Sequence, residues 1–177
     1  RWIARHAKRV LTTTPARGTT WTQIRPIVRR ASVTDRTAAE CRAAFGLDAN
    51  TPTLLITGGS QGAGSINAFL RAFAREHAPL LASWQILHQT GKEGADEMRA
   101  AYADAGIRAS VTPFITDMGQ AWGAADAAVG RAGAGTVAEA WANRVPTLFM
   151  PYPYHKDQHQ KFNAMPLVEA RAALLAT

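Results

Sequence analysis

Two glycine clusters carry the chemistry of this 177-residue sequence. The first, GGSQGAG at 58–64, separates an apolar run (54–57) from an amphipathic one. Glycines at such a handover permit positive φ and let a backbone approach a ligand closely. The N–H groups at the start of the next helix favour an anion. A phosphate, most simply a diphosphate, is the expected occupant. Two common phosphate loops do not fit. A P-loop needs Gly-Lys-Ser/Thr, and Gly64-Ser65-Ile66 has no lysine. The dinucleotide fingerprint needs Gly-x-Gly-x-x-Gly, and Gly59, Gly62 and Gly64 give the reverse spacing. Taken alone, the cluster has a rival reading as a tight turn with no ligand.

The second cluster, GRAGAGTVAEA at 130–140, also follows a short apolar run and opens a helical pattern. Gly133, Ala134, Gly135 and Thr136 offer backbone N–H groups, and Thr136 adds a hydroxyl. Glu139 lies three residues past Thr136, on the same helix face. An acid there suits a ribose diol; for an isolated Glu, favourable charge near a helix N-terminus explains it as well. A third segment, PYPYHKDQHQKFNAMPL at 151–167, gathers imidazole and amide groups fit for a hydroxyl-rich ligand such as a sugar. His155 and His159 stand at i, i+4, but no Glu follows His155, so no metal site is expected. Asn163 reads as a structural hydrogen-bonder, and Phe162 and Met165 as core. In VTPFITDMGQAW (111–122), the backbone at Phe114-Ile115 is placed to read a base edge. Met118 and Trp122 read as core, and Asp117 as a helix cap.

Alternating elements must position these segments. Strands are expected at 9–14, 54–57, 83–90, 109–115, 126–130 and 146–151, with an extended piece at 20–24. Helices are expected at 38–47 (closed by Gly46), after residue 64, at 93–105 (ended by Gly106), 117–125 and 135–144. A last helical stretch at 158–174 is interrupted by Pro166, which should kink it or start a new segment. Ile66, Phe69, Leu70 and Phe73 fall on one helical face. Strands alternating with helices imply right-handed βαβ units and a parallel sheet, with ligands beyond the C-terminal strand ends.

Composition narrows the class. Apolar residues make up 47% of the chain, enough for a packed core and against disorder. No apolar run approaches a membrane span of roughly 18 residues. A single Cys41 excludes an internal disulfide framework and a cysteine-based zinc site, and fits a reducing compartment. A net charge of +7 attracts anions, yet no aromatic-interleaved basic array marks a nucleic-acid binder. The first ten residues, RWIARHAKRV, lack the apolar stretch of a secretory signal. With no initiator Met, the chain is expected to be a piece of a longer protein.

GGSQGA at 58–63, HQTGK at 88–92, PFITDM at 113–118, RAGAGTVAE at 131–139 and HKDQHQKFNAMPL at 155–167 together resemble the C-terminal half of the MurG family, in order and spacing, from about Arg29 onward. Those bacterial transferases add N-acetylglucosamine from UDP-N-acetylglucosamine (UDP-GlcNAc) to undecaprenyl-diphospho-N-acetylmuramoyl-pentapeptide. The resemblance implies an α/β fold: a Rossmann-like parallel sheet flanked by helices, the C-terminal, donor-binding half of a GT-B fold. Residues 1–36 then form the tail of an N-terminal domain and the linker, and 37–177 the UDP-sugar-binding domain. By resemblance Ser60, with Gln61 beside it, contacts the diphosphate, and Ile115 reads uracil through its backbone. Ala134, Gly135 and Thr136 line the phosphates, Glu139 holds the ribose hydroxyls, and His159 and Gln160 contact the sugar. Arg29, in RPIVR at 25–29, stands for the family's phosphate-facing arginine.

The implied reaction is an inverting hexosyl transfer. It needs no cofactor, no metal and no nucleic acid; the catalytic base and the lipid-linked acceptor site lie in the N-terminal domain, so the isolated chain is inactive. The implied location is the cytoplasmic face of the bacterial plasma membrane, held peripherally against an anionic surface. A second reading is the donor-binding subunit or fragment of another GT-B UDP-GlcNAc-dependent enzyme.

Overall fold

The computed structural model of the protein describes residues 3–13, 19–58, 64–152 and 158–176. Its centre is a six-stranded parallel sheet of β3 (Thr53–Thr57), β4 (Gln85–Gln89), β5 (Ala109–Thr112), β6 (Ala127–Gly130), β7 (Thr147–Phe149) and β8 (Ala173–Leu175). The spatial order is β5-β4-β3-β6-β7-β8, with every pair parallel. Before it, β1 (Leu11–Thr12) and β2 (Thr22–Gln23) form a separate two-stranded parallel pair.

Helices cover both faces, as parallel sheets require. On one face lie α2 (Gly64–His77) and α3 (Ala95–Asp104), burying Ile66, Leu70, Ala74, Met98 and Tyr102 against Ile56, Ile86 and Val129. On the other lie α1 (Ala38–Ala44), α4 (Met118–Ala124), α5 (Ala134–Asn143) and α6 (His159–Glu169). Trp122, Val137, Ala140 and Leu167 pack there on Leu55, Leu87 and Phe149. With both faces covered, β4 is buried along its whole length, its polar Gln85, His88 and Gln89 included.

The helix ends follow local chemistry. Thr37 and Glu40 form a reciprocal capping box at α1, and Asp117 Oδ1 accepts the Gln120 N–H at the start of α4. Gly46 and Gly106 take φ of 69° and 67° where α1 and α3 end.

One expectation fails near the C-terminus. The stretch 158–174 is not one helical region: α6 ends at Glu169, and Ala173–Leu175 is the edge strand β8, paired to β7. A three-residue apolar run has no periodicity to separate strand from helix. Of the two outcomes expected at Pro166, a kink or a new segment, the new segment is ruled out, since α6 runs on past it. Pro166 and Phe162, whose carbonyl loses a helical donor, both lie on the exposed side, where water can serve that carbonyl.

Candidate functional site

The sheet order changes direction between β3 and β6. From β3 the chain builds outward through β4 to β5, then returns to β6 and builds the other way. Ligands of open α/β sheets bind at such a switch point, beyond the carboxyl ends of the strands. Both glycine clusters leave the sheet there. Thr57 and Gly130 are direct partners across β3 and β6; the first cluster follows Thr57 directly and the second begins at Gly130. A Cβ on Gly130 would stand 3.0 Å from the Thr57 carbonyl oxygen, a tight contact, so the close approach of the two strand ends favours glycine.

α2 and α5 therefore start side by side. Neither carries an acid in its first turn, whereas α3, elsewhere on the sheet, begins with Asp96 and Glu97. The N-cap of α5 is Gly133, which supplies no side-chain cap. The N–H groups of Ala134, Gly135 and Thr136 have no intrahelical acceptor, and Ala134 and Gly135 are exposed. This end of α5 is open to an anion. Within the first cluster, residues 59–63, and so Ser60 and Gln61, lie outside the described residues.

Glu139 sits in the second turn of α5, half-buried. Its Oε1 accepts the Ser32 hydroxyl at 2.7 Å and its Oε2 accepts Trp122 Nε1–H at 3.1 Å. The carboxylate is thus oriented before any ligand arrives, and each oxygen keeps a lone pair for a diol. Trp122 is core, as its spacing predicts, and Met118 packs against the same cluster. Neither Ser32 nor the indole N–H was foreseen; partners 107 and 17 residues from Glu139 leave no local signal.

Ile115 follows the end of β5 and is buried in the same core cluster as Trp122. Its N–H is already given to Gln89 Oε1 at 3.2 Å, so only its carbonyl is available to a base while Gln89 holds that position.

The third segment divides. Residues 153–157, including His155, lie outside the described residues. His159 is exposed at the first position of α6. Gln160 turns inward, 6% exposed, and its Oε1 accepts the Tyr152 N–H at 2.9 Å. Asn163 Nδ2 donates to the Ala132 carbonyl at 3.1 Å, the structural role expected of it. This bond ties α6 to the second glycine turn. Phe162 is not core; it is 60% exposed, because α6 turns Ala164 and Leu167 inward and Phe162 lies off that stripe. The Arg29 side chain is exposed, and its carbonyl accepts the Ser32 N–H at 2.9 Å.

Arg131 lies within the second glycine cluster. It is buried, and it donates to Ser65 in the first turn of α2 and to the carbonyls of Met150 and Pro151. A cation inside a glycine turn was the available signal. Among the described residues, no three His, Cys, Asp or Glu side chains gather to hold a metal ion, and no helix is long and apolar enough to cross a membrane.

Residues 53–177 match the glycosyltransferase family 28 C-terminal domain. The UDP-N-acetylglucosamine–N-acetylmuramyl-(pentapeptide) pyrophosphoryl-undecaprenol N-acetylglucosamine transferase of Protochlamydia amoebophila is 38% identical over 172 residues, covering 93% of this chain and 45% of its own length. The protein of the same name from Frankia casuarinae is 41% identical over 166 residues, covering 92% and 43%. The crystal structure of Acinetobacter baumannii MurG superposes with a TM-score of 0.74 at 32% identity, over 99% of this chain and 48% of that one. The chain thus spans less than half the length of these relatives.

Proposed function

The chain belongs to glycosyltransferase family 28, as its C-terminal domain, and from that premise we propose that it is the donor-binding half of an N-acetylglucosaminyltransferase. The donor is UDP-GlcNAc. The acceptor is undecaprenyl-diphospho-N-acetylmuramoyl-pentapeptide, the substrate carried in the relatives' names. The observation that carries this reading is the pairing of two helix starts with no acid in the first turn at one switch point, that of α5 also without a side-chain cap, with an oriented carboxylate beside them.

The diphosphate lies between the starts of α2 and α5. The N–H groups of Ala134, Gly135 and Thr136, the Thr136 hydroxyl, and Ser60 with Gln61 of the first turn face it. Glu139 accepts the two ribose hydroxyls, and the Ile115 carbonyl accepts the uracil N3–H. His159 and the amide nitrogen of Gln160 serve the sugar. Arg29 approaches the phosphates from the linker, residues 1–36 leading in from a preceding domain that holds the acceptor and the base.

In the reaction the acceptor hydroxyl attacks the anomeric carbon with inversion, and UDP leaves. This half of the enzyme stabilises the negative charge that grows on the departing diphosphate. Fixed amide dipoles do so without reorganising during the step. A lipid-linked acceptor and a nucleotide-sugar donor place the reaction at the cytoplasmic membrane surface, where the basic chain meets anionic lipid.

Calorimetry of the folded chain against UDP-GlcNAc, UDP and ADP tests the reading. The expected result is weak binding of the uridine ligands, no binding of ADP, and no transfer by the chain alone. A folded chain that ignores UDP and UDP-GlcNAc overturns it.

A further inference from the structure

Among the described residues the buried charged side chains are Arg42 and Arg131. Arg42 faces the carboxylate of Asp126 at 2.7 Å. Arg131 has no carboxylate partner among the described residues. Its Nη1 donates to the Met150 and Pro151 carbonyls at 2.9 and 3.2 Å, its Nη2 donates to Ser65 Oγ, and its guanidinium lies 5.4 Å from the Tyr152 ring centroid. Its Nε–H is buried and has no partner. Burial pushes the guanidinium pKa below its usual value, so a full charge is held where it is unfavourable.

One side chain therefore joins three pieces: the first turn of α2, the second glycine turn, and the strand end leading into residues 153–157. Two of these are the helix starts that face the donor, and they are already the electropositive ends of their helices. Packing between them a cation that has no carboxylate partner among the described residues works against the empty fold. An anion between them removes that penalty.

We infer that Arg131 is a positioning residue for a nucleoside diphosphate: it locks the two helix starts at one spacing and supplies the positive potential that the pyrophosphate neutralises. The inference rests on the donor-site reading and goes further, because it assigns phosphate affinity to a side chain behind the turns. It does not require Arg131 to touch the ligand. Ser65 is its tether on the α2 side.

The test separates phosphate recognition from general support. UDP is titrated by calorimetry and uridine by ligand-observed NMR, at low and moderate salt, against the wild-type chain, Arg131→Lys, Arg131→Met and Ser65→Ala. Losing a charge-assisted interaction corresponds to about tenfold to hundredfold in affinity. Arg131→Met is expected to lose that much for UDP, to keep uridine affinity within about twofold, and to flatten the salt dependence of UDP binding. Arg131→Lys keeps the charge and loses the fork, so it falls between. Ser65→Ala keeps the buried charge, releases only the tether and loses a few-fold for UDP; it carries the test should the Arg131 variants not fold. Equal losses for UDP and uridine reduce Arg131 to a structural strut and overturn the inference, as does unchanged UDP affinity. A wild-type chain that binds no UDP overturns the donor reading itself, a different result from wild-type binding that the variants leave untouched.

Discussion

Ser32 Oγ donates a 2.7 Å hydrogen bond to Glu139 Oε1, joining the connector before α1 to the carboxylate assigned to the ribose. Asn143 Nδ2 reinforces the link, donating to the Ser32 carbonyl at 2.8 Å and to the Glu139 carbonyl at 2.9 Å. Ser32 is buried, so its hydroxyl has little water to exchange with. The connector thus helps set the orientation of the Glu139 carboxylate.

The first prediction concerns that link. Glu139→Ala should weaken UDP binding about tenfold or more, the scale of two hydrogen bonds to a charged acceptor. It should also erase the preference for UDP over 2′-deoxy-UDP. Ser32→Ala leaves the acid in place but frees it to turn, so a loss of about threefold is expected, with a smaller ribose preference. Calorimetry with both nucleotides measures this. Equal preference for the two nucleotides in the wild-type chain would place the ribose elsewhere.

The layered fold was legible because its signals are periodic. Ile66 and Leu70 recur on one face of α2, and each helix is followed in the chain by a short strand. The two glycine clusters were legible for the same reason, since each sits where one period gives way to another. What was not legible depends on contacts between distant residues. Arg131 is held by a serine 66 residues away, and the N–H of Ile115 is taken by Gln89, 26 residues earlier in the chain. Nothing near either residue announces its partner. The exposed Phe162 and the edge strand β8 were missed because single apolar residues and three-residue runs fit core, helix or strand equally well.

A second prediction concerns His88, wholly buried in β4 between Tyr102 of α3 and Asn67 of α2. Burial pushes its pKa down to about 4, and pushes the Tyr102 hydroxyl up. The unfolded chain, with an ordinary His pKa near 6.5, binds a proton that the folded chain refuses. Stability from this site is therefore complete above about pH 6.5 and falls as the pH drops toward 4. With about 1.4 kcal/mol per unit, the loss by pH 4 is about 3 kcal/mol. Denaturant unfolding at pH 7 and pH 4.5 should show it. His88→Gln should be less stable at pH 7 and flatter across that range; an equally steep profile in the variant would remove His88 as the cause.

Two glycines of the site layer should respond oppositely to alanine. A Cβ on Gly119 would lie 2.7 Å from the Ala31 carbonyl oxygen, a backbone atom of the connector that carries Ser32. Gly119→Ala should cost about 1–3 kcal/mol, as overpacking does, and should also weaken UDP binding because the connector shifts. A Cβ on Gly135 meets nothing within 4 Å, and the residue lies in α5. Gly135→Ala should leave the fold as stable or raise it by up to about 1 kcal/mol, from helix propensity. Thermal unfolding of the two variants side by side is the check, and a destabilised Gly135→Ala would contradict it.

The last prediction concerns the far end of the sheet, where Arg42 and Asp126 should matter to folding and not to the ligand. Arg42 reaches out of α1 and donates to Asp126 Oδ2 at 2.7 Å, to the Ala124 carbonyl at 3.1 Å and to the Ala49 carbonyl at 2.8 Å. Asp126 Oδ2 also accepts the Thr53 N–H at 2.7 Å, so the pair fastens α1 to the starts of β3 and β6. The Asp126 side chain is 43% exposed, which screens the charge attraction. Asp126→Asn should therefore cost about 1–2 kcal/mol, less than breaking a fully buried pair, because the Arg42 charge remains with two carbonyl partners. Arg42→Met removes that stranded charge. The double variant should thus lose less than the sum of the two single changes, a coupling visible in a denaturant double-mutant cycle. Throughout the cycle the UDP affinity of the folded protein should stay constant, because the pair sits at the amino ends of the strands and the two glycine turns leave from their carboxyl ends. A variant in this pair that folds normally yet loses UDP binding would break that separation.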